Sequence, residues 1–143
     1  LAKLVDFISV GSNDLTQYLL AVDRNNPRVA NLYSAFHPAV LSALCHVVSE
    51  AQQEEKPVSI CGEMAGDPGA AVLLMAMGFD ILSMNAAALL KVKSVIRSVS
   101  LDAAQDLLDQ VMQMEDAQMI RSAVDLTLYN AGVDRLLRSS RTN

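Results

Sequence analysis

Cysteine is scarce in this sequence: Cys45 and Cys61 are the two present among 143 residues. Two thiols cannot build a disulfide framework, and neither has neighbours at zinc-finger spacing, so free thiols in a reducing compartment are expected. Long hydrophobic runs are missing as well. No apolar stretch reaches the roughly eighteen residues that a membrane span needs, and no basic segment leads into a short apolar one as in a secretory signal. A cytoplasmic protein without membrane association is the expectation. Positive charge is also short, with 11 Lys and Arg against 16 Asp and Glu, a net charge of −5, and the cations scattered along the chain. Nonspecific binding to nucleic acid needs clustered Lys and Arg, so no nucleic-acid partner is expected. An anionic ligand would have to be met by a few placed cations or by a metal.

What is present is enough for a fold. The charged fraction of 19% is too low for disorder, and a hydrophobic content of 52% supports one domain with a real core. The chain opens on Leu1 rather than Met, and a strand-like segment follows almost at once, so it reads as a piece of something longer.

"VDFISVG" (5–11) is short, apolar and β-branched and ends at Gly11, which suits a buried parallel strand. "SNDLTQYLLA" then opens a helical or loop segment. A helix is predicted from His37, with Pro38 in its first turn and Val40, Leu41, Leu44, Cys45, Val47, Val48 and Ala51 at helical spacing. "PVSIC" (57–61) predicts a second strand, "GEMAGDPG" a glycine-rich loop, "AAVLLMAM" a buried helix stopped by Gly78, and "FDILSMN" (79–85) a third strand. Three successive strand–loop–helix units predict a parallel α/β sheet or part of a barrel. Beyond Asn85 the pattern is helical throughout. Ser100 is placed to cap "LDAAQDLLDQVMQM", Gly132 to stop the last helix, and Met112, Met114 and Met119 to fill gaps in helix packing.

In parallel α/β folds the loops at the strand ends converge on one face, and functional residues collect there. All three strands end in polar or reactive residues: "GSND", "CGEMAGD" and "SMN". Asn13 and Asp14 place an amide beside a carboxylate, a pairing that suits Mg²⁺ and an anionic oxygen; the competing reading is a cap on the next helix. Arg24, in "AVDRNN", offers a planar donor for a phosphate or carboxylate; the competing reading is an ion pair with Asp23 or another acid. Cys61, followed by Gly62, is placed to serve as nucleophile or general acid; the competing reading is a buried inert cysteine. Glu63, Asp67 and Asp14 would surround it with negative charge and favour the protonated thiol. No histidine adjoins it in sequence, so a proton donor is the expected role, unless a bound metal reverses the local field. His37 and His46 read as structural. Gly62, Gly66 and Gly69 would let the backbone approach a ligand, yet their spacing matches neither a dinucleotide fingerprint nor a P-loop.

Taken together and in this order, "FISVGSNDLTQYLLAVDRNN", "CGEMAGDP" and "LSMN" resemble the C-terminal domain of phosphoenolpyruvate-protein phosphotransferases, the enzyme I family of the bacterial sugar and nitrogen phosphotransferase systems. The resemblance is strong over residues 5–98 and weak in the helical tail. "LAVDRNN" and "LSMN" are more similar to the nitrogen-related branch. Pyruvate-phosphate dikinases and phosphoenolpyruvate synthases share a version of the "SNDLTQ" segment and the cysteine–glycine pair, and are the near alternatives; Met64 and Ala65 favour enzyme I.

The resemblance implies an α/β chain, the last three strand–helix units of a (β/α)₈ TIM barrel over residues 1–98 followed by C-terminal helices over 99–143. It implies binding of phosphoenolpyruvate and Mg²⁺ at the strand ends and release of pyruvate. Asp14 would be a metal ligand, Asn13 and Arg24 would contact the phosphate, and Cys61 would be the acid that protonates the enolate of pyruvate. The phosphoryl acceptor in the family is a histidine of a separate N-terminal domain, which passes the group to a histidine phosphocarrier protein; neither His37 nor His46 matches that histidine. A barrel needs about 250 residues, so this chain alone is expected to be catalytically silent. Its unpaired sheet edges, and the dimerising role of this domain in the family, lead to the expectation of a homo-oligomer. A different class of reading remains open: a regulatory module that senses phosphoenolpyruvate without turnover. In a third reading, an α/β interaction fragment, the loop residues would be only caps and turns.

Overall fold

Three short strands lie side by side in sequence order, β1 (Ile8–Gly11), β2 (Val58–Cys61) and β3 (Ile81–Ser83), all parallel. The computed structural model describes residues 1–133. Of the predicted tail, 99–143, residues 134–143 lie outside the described residues.

The strands are shorter than their apolar runs predict. Pairing begins only where β2 supplies a partner, at Ile8 opposite Val58, and Phe7 just before it stays exposed. At β3, the Phe79 amide closes the preceding helix on the Leu74 carbonyl and the Asp80 carboxylate accepts the Val58 amide at 2.7 Å, so the strand starts only at Ile81. It stops at Ser83 because Asn85 turns its side chain to cap the next helix.

Alternation sorts the strand residues onto two faces. Val10, Val58 and Ile60 enter the core, whereas Ser9, Cys61, Ile81 and Ser83 are exposed on the other face. The sequence predicts a buried parallel strand at β1; among the described residues one face of the sheet stays exposed.

Seven α-helices accompany the sheet among the described residues. Helix α1 (Ser12–Leu20) follows β1 directly and ends at Ala21 in the left-handed region. Helix α2 (Pro38–Gln53) starts at His37, whose Nδ1 accepts the Ala39 amide at 3.2 Å. The glycine-rich segment is a short helical turn, α3 (Glu63–Gly66), rather than an open loop, and α4 (Pro68–Met77) follows, stopped by Gly78 at φ 95°. Asn85, Ser100 and Asp116 each accept a backbone amide as caps of α5 (Ala86–Ser98), α6 (Leu101–Val111) and α7 (Ala117–Asn130).

Helix α4 is apolar on every side and buried from Gly69 to Leu74, as befits a helix packed all round. Helices α2, α3, α5, α6 and α7 all pack against it. A single core therefore runs from Val10 and Ile60 through Leu73 and Leu74 to Leu107, Val111, Ile120 and Val124. The methionines of the tail divide: Met114 packs against this core, while Met112 and Met119 are exposed and fill no gap.

Candidate functional site

The register sets the site. Gly11, Cys61 and Ser83 are paired across the three strands, so the strand ends fall on one row. A cleft of about 430 Å³ opens there, bounded by Asn13 and Cys61 on one side and by Ser83, Met84 and Asn85 on the other. A larger hollow of about 530 Å³ lies between α5, α6 and α7, lined by none of Asn13, Asp14, Arg24 and Cys61 but by groups such as Ser98, Asp106 and Asn130.

Cys61 ends β2 and is exposed at the cleft rather than buried. Asn13 does not cap its helix, since α1 has no side-chain cap. Its Oδ1 instead accepts the Glu63 amide at 3.3 Å, linking the end of β1 to the loop after Cys61, and its carbonyl accepts the Tyr33 hydroxyl at 3.4 Å. Asp14 stands in the first turn of α1, exposed, with Oδ2 3.7 Å from where a Cβ on Gly11 would lie. Arg24 donates to Glu63 Oε1 at 3.2 Å rather than pairing with Asp23, whose carboxylate accepts the Asn25 amide. The competing reading of Arg24 as an ion-pair residue is thus correct in form, but the acid belongs to the cleft.

The expected ring of negative charge around Cys61 is not what the structure contains. Glu63 faces Arg24, and Asp67 turns away: its Oδ1 caps α4 through Gly69 and Ala70, and its Oδ2 accepts Arg121 Nη1 at 2.8 Å. Two of the three carboxylates are therefore matched by arginines. Among the described residues, no histidine, lysine or arginine lines the cleft. His37 is a helix cap and His46 is exposed on α2.

The glycines make close contacts within the chain, and Gly62 and Gly66 also line the cleft. A Cβ on Gly62, at φ 107°, would collide with Ser12 Oγ and lie 3.2 Å from Asn13 Oδ1. One on Gly66 would lie 3.3 Å from the Ala88 Cβ, and one on Gly69 would lie 2.6 Å from Val124 Cγ1. Sequence reasoning passed over Ser12 and Thr16, whose buried hydroxyls have no hydrogen-bond partner among the described residues, and Arg121, which sits 54 positions from Asp67. The buried hydroxyls had a signal, their spacing of four residues on one face of α1; the long-range pair had none.

Among the described residues no three His, Cys, Asp or Glu side chains gather as a metal cluster. Mg²⁺ needs no such cage, because it takes one or two carboxylates and completes its shell with water and phosphate oxygens. Asp14, exposed beside the end of β1, fits as one such carboxylate.

The structure is a parallel α/β unit that carries Asn13 and Cys61 at its strand-end cleft, Asp14 in the first turn of α1, and Arg24 joined to the cleft through Glu63. The chain belongs to the family described as PEP-utilising enzyme, PEP-binding domain, whose profile matches residues 1–101. Its relatives include the phosphoenolpyruvate-dependent phosphotransferase system protein of Salmonella typhimurium, 43% identical over 138 residues that cover 96% of this chain and 18% of that protein. The phosphoenolpyruvate-protein phosphotransferase of Haemophilus influenzae is 43% identical over 125 residues, 87% of this chain and 22% of the relative. Multiphosphoryl transfer protein 1 of Escherichia coli is 45% identical over 118 residues, 82% of this chain and 14% of the relative. The chain thus spans roughly a fifth or less of the length of these proteins.

Proposed function

We propose that this chain is the C-terminal portion of the phosphoenolpyruvate-binding (β/α)₈ barrel of a phosphoenolpyruvate-protein phosphotransferase, with strand–helix units over 1–98 and C-terminal helices over 99–143. The observation that carries the reading is the convergence of Asn13, Arg24 and Cys61 through Glu63 and the paired strand ends. Parallel strands in sequence order with helices on one face suit a barrel segment, and the open polar face suits a barrel interior completed by further strands. The names of the relatives favour this enzyme over a dikinase or a synthase. "LAVDRNN" and "LSMN" favour the nitrogen-related branch.

In this reading Asn13 and Arg24 hold the phosphate and Asp14 holds Mg²⁺. The Arg24–Glu63 pair is exposed and stabilises by at most about 1 kcal/mol, so a phosphate with more charge and more acceptor oxygens displaces Glu63. The cation, when bound, neutralises charge on the phosphoryl oxygens. The P–O bond of phosphoenolpyruvate breaks, and the phosphoryl group passes to a histidine of the N-terminal domain and then to a histidine phosphocarrier protein. The enolate of pyruvate left behind takes a proton at its methylene carbon from Cys61 Sγ. The resulting thiolate regains a proton from solvent, to which Cys61 is open. The setting is cytoplasmic, and the working form is a homo-oligomer.

Cys61→Ala in the intact polypeptide tests this directly. Pyruvate release from phosphoenolpyruvate should fall by about 10² to 10⁴-fold, the contribution typical of a positioned acid, while Mg²⁺-dependent substrate binding persists. Undiminished pyruvate release would overturn the assignment. A sensor without turnover would release no pyruvate in either form and keep its ligand response.

A further inference from the structure

Between the end of β2 and the start of α4, residues 61–67 carry the thiol and Glu63, and something must hold both ends of that segment. Asn13 holds the near end through the Glu63 amide. Asp67 holds the far end and uses both carboxylate oxygens. Oδ1 accepts Gly69 and Ala70 at 2.8 and 2.9 Å, which is all that a helix cap requires and which Asn or Ser would also provide. The second oxygen takes a charge-assisted bond of 2.8 Å from Arg121, on α7. Capping does not explain that bond.

Arg121 is itself fixed from three sides. Its Nε donates to Asp125 at 3.0 Å, its Nη1 to Asp67, and its guanidinium lies 5.0 Å from the centroid of the buried Phe36 ring. Gly69 lets α7 sit against the first turn of α4, since a side chain there would meet Val124. Burial works against the charge of Arg121, but the hydrogen bond and charge of Asp67, with those of Asp125, outweigh it and raise its pKa. The contacts close a circuit: Arg121 to Phe36, along the chain to Tyr33, from the Tyr33 hydroxyl to Asn13, from Asn13 to Glu63, and along the turn to Asp67 and back.

We propose that Arg121 is a positioning residue for the Cys61 segment, acting from the tail helix through Asp67. The proposal rests on the reading of Cys61 as the proton donor. Asn13, Asp14 and Arg24 stand on the β1 side, so loosening the far end of the segment displaces the acid more than the phosphate contacts. A shift of about 1 Å at a reacting group can cost on the order of a hundredfold in rate.

The test compares Arg121→Ala, Arg121→Lys, Asp67→Asn and the Arg121→Ala/Asp67→Asn double variant in the intact polypeptide. Asp67→Asn keeps the cap and removes the charge. Pyruvate-release kinetics, the alkylation rate of Cys61 by iodoacetamide and the thermal midpoint are read together. The single variants should lose about tenfold or more in kcat with KM for phosphoenolpyruvate little changed, and should shift Cys61 alkylation. Lysine should restore part of the loss, and the double variant should be no worse than the poorer single one. Folded variants with unchanged kcat and unchanged alkylation, or losses that multiply in the double variant, would overturn the proposal. Cys61→Ala, run alongside, separates the two ideas. If it leaves pyruvate release intact, the acid assignment fails while alkylation still reports where the segment sits. If it stops release but the Arg121 and Asp67 variants change nothing, only the positioning role falls.

Discussion

Gly62 joins backbone conformation to site geometry, and its role is stricter than a glycine-rich stretch suggests. At φ 107° and pressed against Ser12, it has no room for a side chain. Gly62→Ala should therefore cost about 1–3 kcal/mol of stability in denaturant titration and misplace Cys61; an unchanged midpoint would show that the contact relaxes freely. The two thiols should also separate chemically. Burial holds the Cys45 thiol above its ordinary value of 9.0, whereas Cys61 is exposed, so peptide mapping after brief iodoacetamide treatment should find Cys61 labelled first. Because the raised value belongs to the folded state, stability from the neutral Cys45 thiol is full below pH 9.0 and declines as pH rises through the folded value. Cys45→Ala should flatten that alkaline decline, and an identical pH profile would contradict it. The placement of Cys61, Asn13 and Arg24 beside the strand ends was legible in the sequence, because the loops that follow parallel strands converge on one face. The electrostatics around the thiol were not, because local spacing places Glu63 and Asp67 near Cys61 but says nothing of the arginines they turn toward.

At the scale of elements, α4 carries the architecture. Its unbroken apolar sequence marked it as buried, and the structure shows why: α2, α3, α5, α6 and α7 all pack against it. Leu74 is fully buried in it, so Leu74→Ala should destabilise the chain by about 2–5 kcal/mol, measured by urea unfolding. A loss well under this range would mean that α6 and α7 are not seated as described. Helix starts at His37 and Ser100 were readable, since capping is local chemistry, whereas the start of α4 at Pro68 was not, since "GEMAGDPG" read as a loop. Strand limits were not, since they depend on where a neighbouring strand begins. The short helix α3 was hidden behind its glycines, which serve close packing against Ser12 and Ala88 rather than an open loop.

The whole molecule is a sheet with one face covered and one exposed, and with both outer strands, β1 and β3, unpaired at their edges among the described residues. Such edges attract further strands. The isolated chain should therefore run above monomer mass in light scattering at micromolar concentration, and a clean monomer would count against this. It should also form no pyruvate from phosphoenolpyruvate by itself, and detectable turnover would show that it carries a complete site. The central claim, that these strand ends supply part of a phosphoenolpyruvate and Mg²⁺ site, is tested most directly by calorimetric titration of the intact polypeptide with phosphoenolpyruvate, with and without Mg²⁺, for the unchanged sequence and for Asp14→Ala. The account predicts Mg²⁺-dependent binding that Asp14→Ala abolishes; binding indifferent to both the metal and Asp14 would contradict it.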